Sequence, residues 1–167
     1  AQCNDPNLAC IGEQIREFSL TNCQSGMPQN MTEYFAGMKG GWYVLTAGWC
    51  PACTQFIPSV IDVLQNPMVQ NKIKAAFILG EDTRQGAPTL EYCRRYGAQK
   101  NIPLENLFMD HDGSNNGSFQ TIFTYLWPYL VNGGFGLPFN AMFEADTMTY
   151  IYADRASPTD DINAALN

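Results

Sequence analysis

Two cysteines three residues apart, in Trp49-Cys50-Pro51-Ala52-Cys53, are the side chains whose type and spacing most directly suit chemistry. They follow the apolar run Trp42-Tyr43-Val44-Leu45-Thr46-Ala47 and open a stretch with apolar residues at helical spacing, so the pair falls at a strand-to-helix junction. A helix N-terminus carries unpaired N–H groups and the positive end of the helix dipole, which stabilise a thiolate placed there. Disulfide exchange proceeds through such a thiolate. A second cysteine one turn away can resolve the mixed disulfide, which makes two thiols a reusable two-electron couple.

The other four cysteines, Cys3, Cys10, Cys23 and Cys93, form an even set with three possible pairings and are candidates for structural disulfides. Six cysteines in 167 residues are unusual for a reducing cytosol, so an extracytoplasmic compartment, periplasmic or secreted, is expected. The competing reading leaves Cys93 as a buried free thiol and the others as surface cysteines. Three of the four lie in the first 23 residues, so at least one bridge should pin the N-terminal segment to itself, with Cys93 tying that segment to the body.

Metal chemistry finds little support. A Cys-x-x-Cys pair is half of a zinc site, but no second pair exists and His111 is the single histidine. The loop at 110–116 has a superficial calcium-loop look, yet Asn115 stands where an EF-hand needs glycine and Thr121 where it needs glutamate. No metal and no organic cofactor is implied. His111, beside two aspartates, reads as a solvated side chain, and Asn30 and Asn116 open glycosylation patterns that matter only in a eukaryotic secretory protein.

The length fits one domain, and 46% hydrophobic and 13% aromatic residues exclude a disordered chain. A net charge of −7, with no basic cluster beyond Arg94-Arg95, argues against nucleic acid as a partner. No stretch approaches the roughly 20 apolar residues of a membrane helix. The chain begins at Ala1 without an initiator Met, which fits a processed or a trimmed N-terminus, and Gln2 before Cys3 departs from a lipoprotein cleavage site.

The elements that must position the dithiol follow from periodicity. Residues 1–10 read as an irregular polar arm and 11–167 as one domain. Ile15, Phe18 and Leu20 suggest a strand followed by a turn, 31–38 a short connecting element, and 42–47 a strong strand. After the cysteines, Phe56, Ile57, Val60, Ile61 and Leu64 mark one buried helical face, interrupted by Pro58 and stopped at Asn66-Pro67. Strands follow at 75–79 and 106–110, with a helix at 88–96 that Gly97 should cap. A helix capped by Ser118 should run to about Val131. Residues 139–144 and 148–153 read as a hairpin, and Ser157 with Pro158 opens a final helix. Strands alternating with helices imply an α/β domain, a central mixed sheet flanked by helices.

Three pieces of the chain resemble the thioredoxin-fold superfamily, and within it the TlpA/ResA-like redoxins. These are Trp49-Cys50-Pro51-Ala52-Cys53 with Pro58 five residues on, Gly136-Leu137-Pro138 ahead of a strand, and an N-terminal stretch from Ile11 to Gly26 similar to the redoxin entry hairpin. The resemblance covers about residues 11–167. It implies a thioredoxin-like fold with an N-terminal hairpin extension and thiol-disulfide oxidoreductase activity toward protein thiols and disulfides. Cys50, at the exposed start of the helix, would be the nucleophile, and Cys53 the buried resolving thiol. Trp49 would cover the dithiol, Pro51 would contribute to the contact surface, and Pro138, if cis, would present the backbone of Leu137 for strand-like pairing with a substrate.

The chain also departs from these relatives. Val44 and Phe56 stand where thioredoxins and many TlpA/ResA-like proteins keep carboxylates, so a proton from Cys53 must go to water or to a carboxylate such as Asp82 or Glu144. Pro51-Ala52 offers the Cys50 thiolate no side-chain donor, which favours a reducing or intermediate couple over a strong oxidant. Phe139 after Pro138 gives the groove a more apolar lip. The rivals are a redox-inactive thioredoxin-fold binding module with a structural Cys50–Cys53 bond, and a peroxidase, whose Pro-x-x-x-Thr-x-x-Cys context is absent.

Overall fold

The structure is a computed structural model in which residues 3–127 and 135–154 are described. Seven strands, β1 (Ser19–Asn22), β2 (Pro28–Asn30), β3 (Gly40–Thr46), β4 (Ile73–Leu79), β5 (Leu107–Met109), β6 (Phe139–Glu144) and β7 (Thr149–Asp154), make one sheet in the order β2-β1-β5-β4-β3-β6-β7. The α-helices among the described residues are α1 (Met31–Tyr34), α2 (Pro51–Gln65), α3 (Leu90–Lys100) and α4 (Gln120–Tyr125). Strands β3, β4 and β5 are parallel, whereas β6 lies antiparallel to β3 and β7 antiparallel to β6, so the sheet is mixed. This is the α/β layout expected from the sequence, with β1 and β2 as the N-terminal hairpin added to the edge of β5.

Alternation in the central strands divides the core. On β3, Trp42 and Val44 point into the layer under α2 and α3 with Phe56, Ile57, Val60, Cys93 and Tyr96. Tyr43 and Leu45 point to the opposite layer with Phe35, Phe139, Phe143 and Tyr150. All seven β3 residues are buried, as a strand covered on both faces must be. Each large side chain so enclosed contributes about 1.5–3 kcal/mol of burial. In the second layer the rings of Phe35, Tyr43 and Phe143 pack within 4.8–5.5 Å of one another.

Several expected boundaries move. Helix α3 runs through Gly97 and ends at Asn101, which takes the left-handed conformation (φ 58°). Gly97 is there for close packing: a Cβ would meet Leu104 and Leu107. Ser118 does not cap α4. Phe119 occupies that position with φ 58°, and the buried carboxylate of Asp110 accepts from the N–H groups of Thr121 (3.0 Å) and Ile122 (2.9 Å). The N-terminal arm is not wholly outside the body, because Leu8, Ala9 and Cys10 are buried and the Ala9 N–H donates to Tyr125 O at 2.9 Å. The expected extension of α4 toward Val131 and the final helix from Ser157 lie outside the described residues.

Candidate active site

The cysteine pair sits where β3 hands over to α2, at the C-terminal edge of the parallel strands. Cys50 is the N-cap of α2, extended at φ −93° and ψ 104°, and Pro51 fills the first turn with a residue that has no N–H to satisfy. The Cys53 N–H donates to Cys50 Sγ at 3.1 Å, so the sulfur occupies the place of a capping side-chain oxygen. A negative charge on that sulfur would lie at the positive end of a 15-residue helix. Cys50 and Cys53 are joined as a disulfide with their Cα atoms 5.3 Å apart.

Burial corrects one expectation. Cys53 is fully buried, but Cys50, expected at an exposed position, is only 4% exposed. The half-buried Leu137 packs against Ala47, Cys50 and Cys53, and the Leu137-Pro138 peptide bond is cis. Leu137 reaches the dithiol because β6 pairs antiparallel with β3, which sets Phe139 opposite Leu45 near the end of the strand. Pro51 is exposed. Trp49 is 39% exposed, and its indole Nε1–H donates to Glu81 Oε1 at 3.0 Å.

Beneath α2 the surroundings are apolar. Val44 and Phe56 are both buried in the cluster with Ile57 and Val60. The polar groups on that face pair with one another. Trp42 Nε1–H donates to the buried Asn140 Oδ1 at 2.9 Å, and Thr46 Oγ1 lies 2.7 Å from Tyr96 OH. Burial, reinforced by Tyr92 and opposed by the Thr46 hydrogen bond, raises the Tyr96 hydroxyl above its usual pKa.

Of the two carboxylates considered for the resolving proton, Glu144 is opposite Gly40, at the far end of β3 from the cysteines. Six residues at about 3.3 Å each put it roughly 20 Å away. Asp82 is at the correct edge, on the loop after β4. Its carboxylate accepts from the N–H groups of Gly86 (3.0 Å) and Arg84 (2.8 Å), which hold it below the usual carboxylate range.

The remaining cysteines form two bonds elsewhere. Cys3 is bonded to Cys10 within the arm, and Cys23, after β1, to Cys93 on α3, with Cα separations of 5.6 and 6.0 Å. Arg94 adds to the second link by donating from Nε to Cys23 O (2.8 Å) and from Nη2 to Gln24 O (2.9 Å). His111 Nδ1 accepts from the Gly113 N–H at 2.9 Å, a turn contact.

Sequence reasoning missed Glu81 as the partner of Trp49, and Gly48 as a point of close approach. A Cβ on Gly48 would collide with the Tyr92 hydroxyl. A signal existed: in a parallel sheet the loops after β3 and β4 emerge side by side, so residues from Glu81 onward had to border the cysteine loop.

No protein-family model and no curated protein matches the chain. Solved structures do. The thioredoxin domain of a thiol-disulfide oxidoreductase from Bacteroides vulgatus superposes with a TM-score of 0.64 at 8% identity, covering 94% of this chain and 95% of that one. A thiol:disulfide interchange protein of the thioredoxin family from Chlorobium tepidum gives a TM-score of 0.61 at 16% identity over 97% and 96% of the two chains. A secreted Mycobacterium tuberculosis disulfide oxidoreductase homologous to E. coli DsbE gives 0.58 at 18% identity over 89% and 93%. The chain has the thioredoxin fold.

Proposed function

We propose that this protein is a thiol-disulfide oxidoreductase that exchanges disulfides with protein partners through Cys50 and Cys53, in an extracytoplasmic compartment and without metal or organic cofactor. The observation that carries the reading is the cysteine pair at the N-terminus of α2 with Leu137 packed against it. Neighbours of the same fold carry oxidoreductase names, and one is described as secreted, which supports the activity and the compartment.

In the reducing direction, the Cys50 thiolate attacks one sulfur of a partner disulfide, forms a mixed disulfide and releases the other sulfur as a thiolate. The Cys53 thiolate then attacks Cys50 Sγ. That step re-forms the Cys50–Cys53 bond and releases the second partner thiol, so two electrons pass to the partner. The reverse sequence oxidises a dithiol. Leu137 would offer its backbone to the extended partner segment, and Trp49, held by Glu81, would form the opposite rim.

A second reading is favoured by one observation: at 4% exposure Cys50 offers little sulfur surface to an attacking thiolate. On that reading the bond is structural and the protein is a binding module. One experiment separates the two. Cys53→Ser should trap a mixed disulfide between Cys50 and its partner, and the parent should catalyse insulin reduction. No trapped partner together with background insulin reduction would establish the inert module.

A further inference from the structure

Across the cysteine loop from Leu137, a cleft of about 510 Å³ opens between α3 and the loop after β4. Gly48 forms part of its wall. That glycine is two residues before Cys50, so the wall lies within about 7 Å of the Cys50 Cα. Three cations line the cleft: Arg84 from the loop, and Arg95 and Lys100 from α3. They are drawn from only nine lysines and arginines in a chain of net charge −7.

The two helix cations are held over aromatic rings. Arg95 Cζ lies 5.5 Å from the Tyr92 ring centroid and Lys100 Nζ 5.7 Å from that of Tyr96. The acidic residues nearby offset the group only in part. Asp82 also lines the cleft and, held ionised by two N–H groups of its own turn, interacts with Arg84, which leaves three cations against one carboxylate in the lining. Glu91 approaches Arg95 at 3.9 Å with both side chains exposed, a pairing worth little in water. The cleft is thus a positive, aromatic-backed recess at the edge of an acidic protein.

We propose that this cleft receives an acidic side chain of the polypeptide whose cysteine reacts at Cys50, an inference that rests on the oxidoreductase reading. Its position fits a chain rather than a small thiol. Leu137 leads into β6, on one side of β3, and the cleft flanks the loop after β4, on the other. Two strand spacings are about 10 Å, which three extended residues span. A segment paired with the Leu137 backbone and crossing Cys50, which lies between the two, therefore brings a residue about two positions from its cysteine into the cleft. An Asp or Glu there gains charge-assisted hydrogen bonds, and encounter is steered by opposite charge.

The test uses the reduced parent protein and two synthetic disulfide peptides identical except for Glu or Gln two residues from the reactive cysteine. The Glu peptide should exchange about three- to tenfold faster at low salt, with the ratio approaching one at ~0.5 M NaCl. In Arg84→Gln/Arg95→Gln the ratio within that variant should also approach one. Equal rates with the parent, a ratio that the double variant or high salt leaves unchanged, or acceleration of glutathione disulfide without acceleration of the Glu peptide, would each overturn the proposal. Hydroxyethyl disulfide, small and uncharged, separates the two levels of inference. A parent that exchanges with neither it nor the peptides refutes the oxidoreductase reading itself, whereas exchange without a Glu preference refutes only the cleft.

Discussion

Two disulfides in this molecule join the same kind of atoms in opposite settings. Cys50–Cys53 closes a gap of three residues, sits at a helix end and has one sulfur accepting a backbone N–H. Cys23–Cys93 closes a gap of 70 residues, is fully buried on both sides and fastens the N-terminal hairpin to α3. The first constrains little of the unfolded chain, and its surroundings favour a thiolate. The second removes much loop entropy and is walled off from attack. Sequence separation and the electrostatics of the seat, rather than the bond itself, set the two apart, and the proposed function assigns exchange to the first. The two are nonetheless connected through α3, since Cys93 holds the helix and its neighbour Tyr92 abuts Gly48 on the cysteine loop.

Substitutions at each bond test that contrast. Cys50→Ser should lower the exchange rate by about three orders of magnitude or more, because the attacking thiolate is gone, while chemical unfolding shifts little relative to the reduced parent. Comparable residual exchange would mean that Cys50 is not the attacking sulfur. Cys23→Ala with Cys93→Ala should show the converse, a loss of about 4 kcal/mol in denaturant unfolding from the 70-residue loop with exchange by the folded fraction retained. A stability loss below about 1 kcal/mol would erase the distinction between the two bonds.

The connection through α3 has its own test. Gly48→Ala should destabilise the protein by about 1–3 kcal/mol, because the added methyl meets the Tyr92 hydroxyl, and Tyr92→Phe in the same chain should restore part of that, the Asp82 backbone and the ring itself remaining 3.0 Å from the methyl. A double variant no more stable than the single one would place the clash elsewhere. The smallest effect concerns the Asp110 carboxyl, whose pKa burial raises despite the N–H groups of Ile122 and Thr121. A carboxyl raised on folding adds stability that is full below its unfolded pKa, about 3.9, and is lost as pH rises through the folded value. Urea unfolding at pH 4.5 and pH 7 should therefore show the parent gaining on Asp110→Asn at the lower pH. A pH-independent difference would contradict burial as the dominant influence.

The sequence made the local features legible. Trp49 through Cys53, the helix face of Phe56, Ile57 and Val60, and the run into β6 each rest on spacings of a few residues, which periodicity and turn chemistry report directly. What it hid depends on which distant segments meet. Arg94-Arg95 reads as one basic pair along the chain, yet Arg94 turns to the carbonyls of Cys23 and Gln24, and Arg95 joins Arg84 and Lys100. Gly97 looks like a helix terminator until Leu104 and Leu107 are seen against it. Asp110 caps α4 from across a turn, where Ser118 was the nearer candidate. Even the exposure of Cys50 is settled by Leu137, 87 positions later.

That single leucine has a kinetic meaning. Exchange rates depend on access to the attacked sulfur as well as on its thiolate character. With one apolar side chain over Ala47, Cys50 and Cys53, small thiols that bring no backbone to displace it must collide with a nearly covered sulfur. On the proposed function, a partner that pairs with the Leu137 main chain would have to shift that cover as it docks. The couple would then be insulated from the bulk thiol pool, and its oxidation state would record which proteins it has met rather than the medium around it.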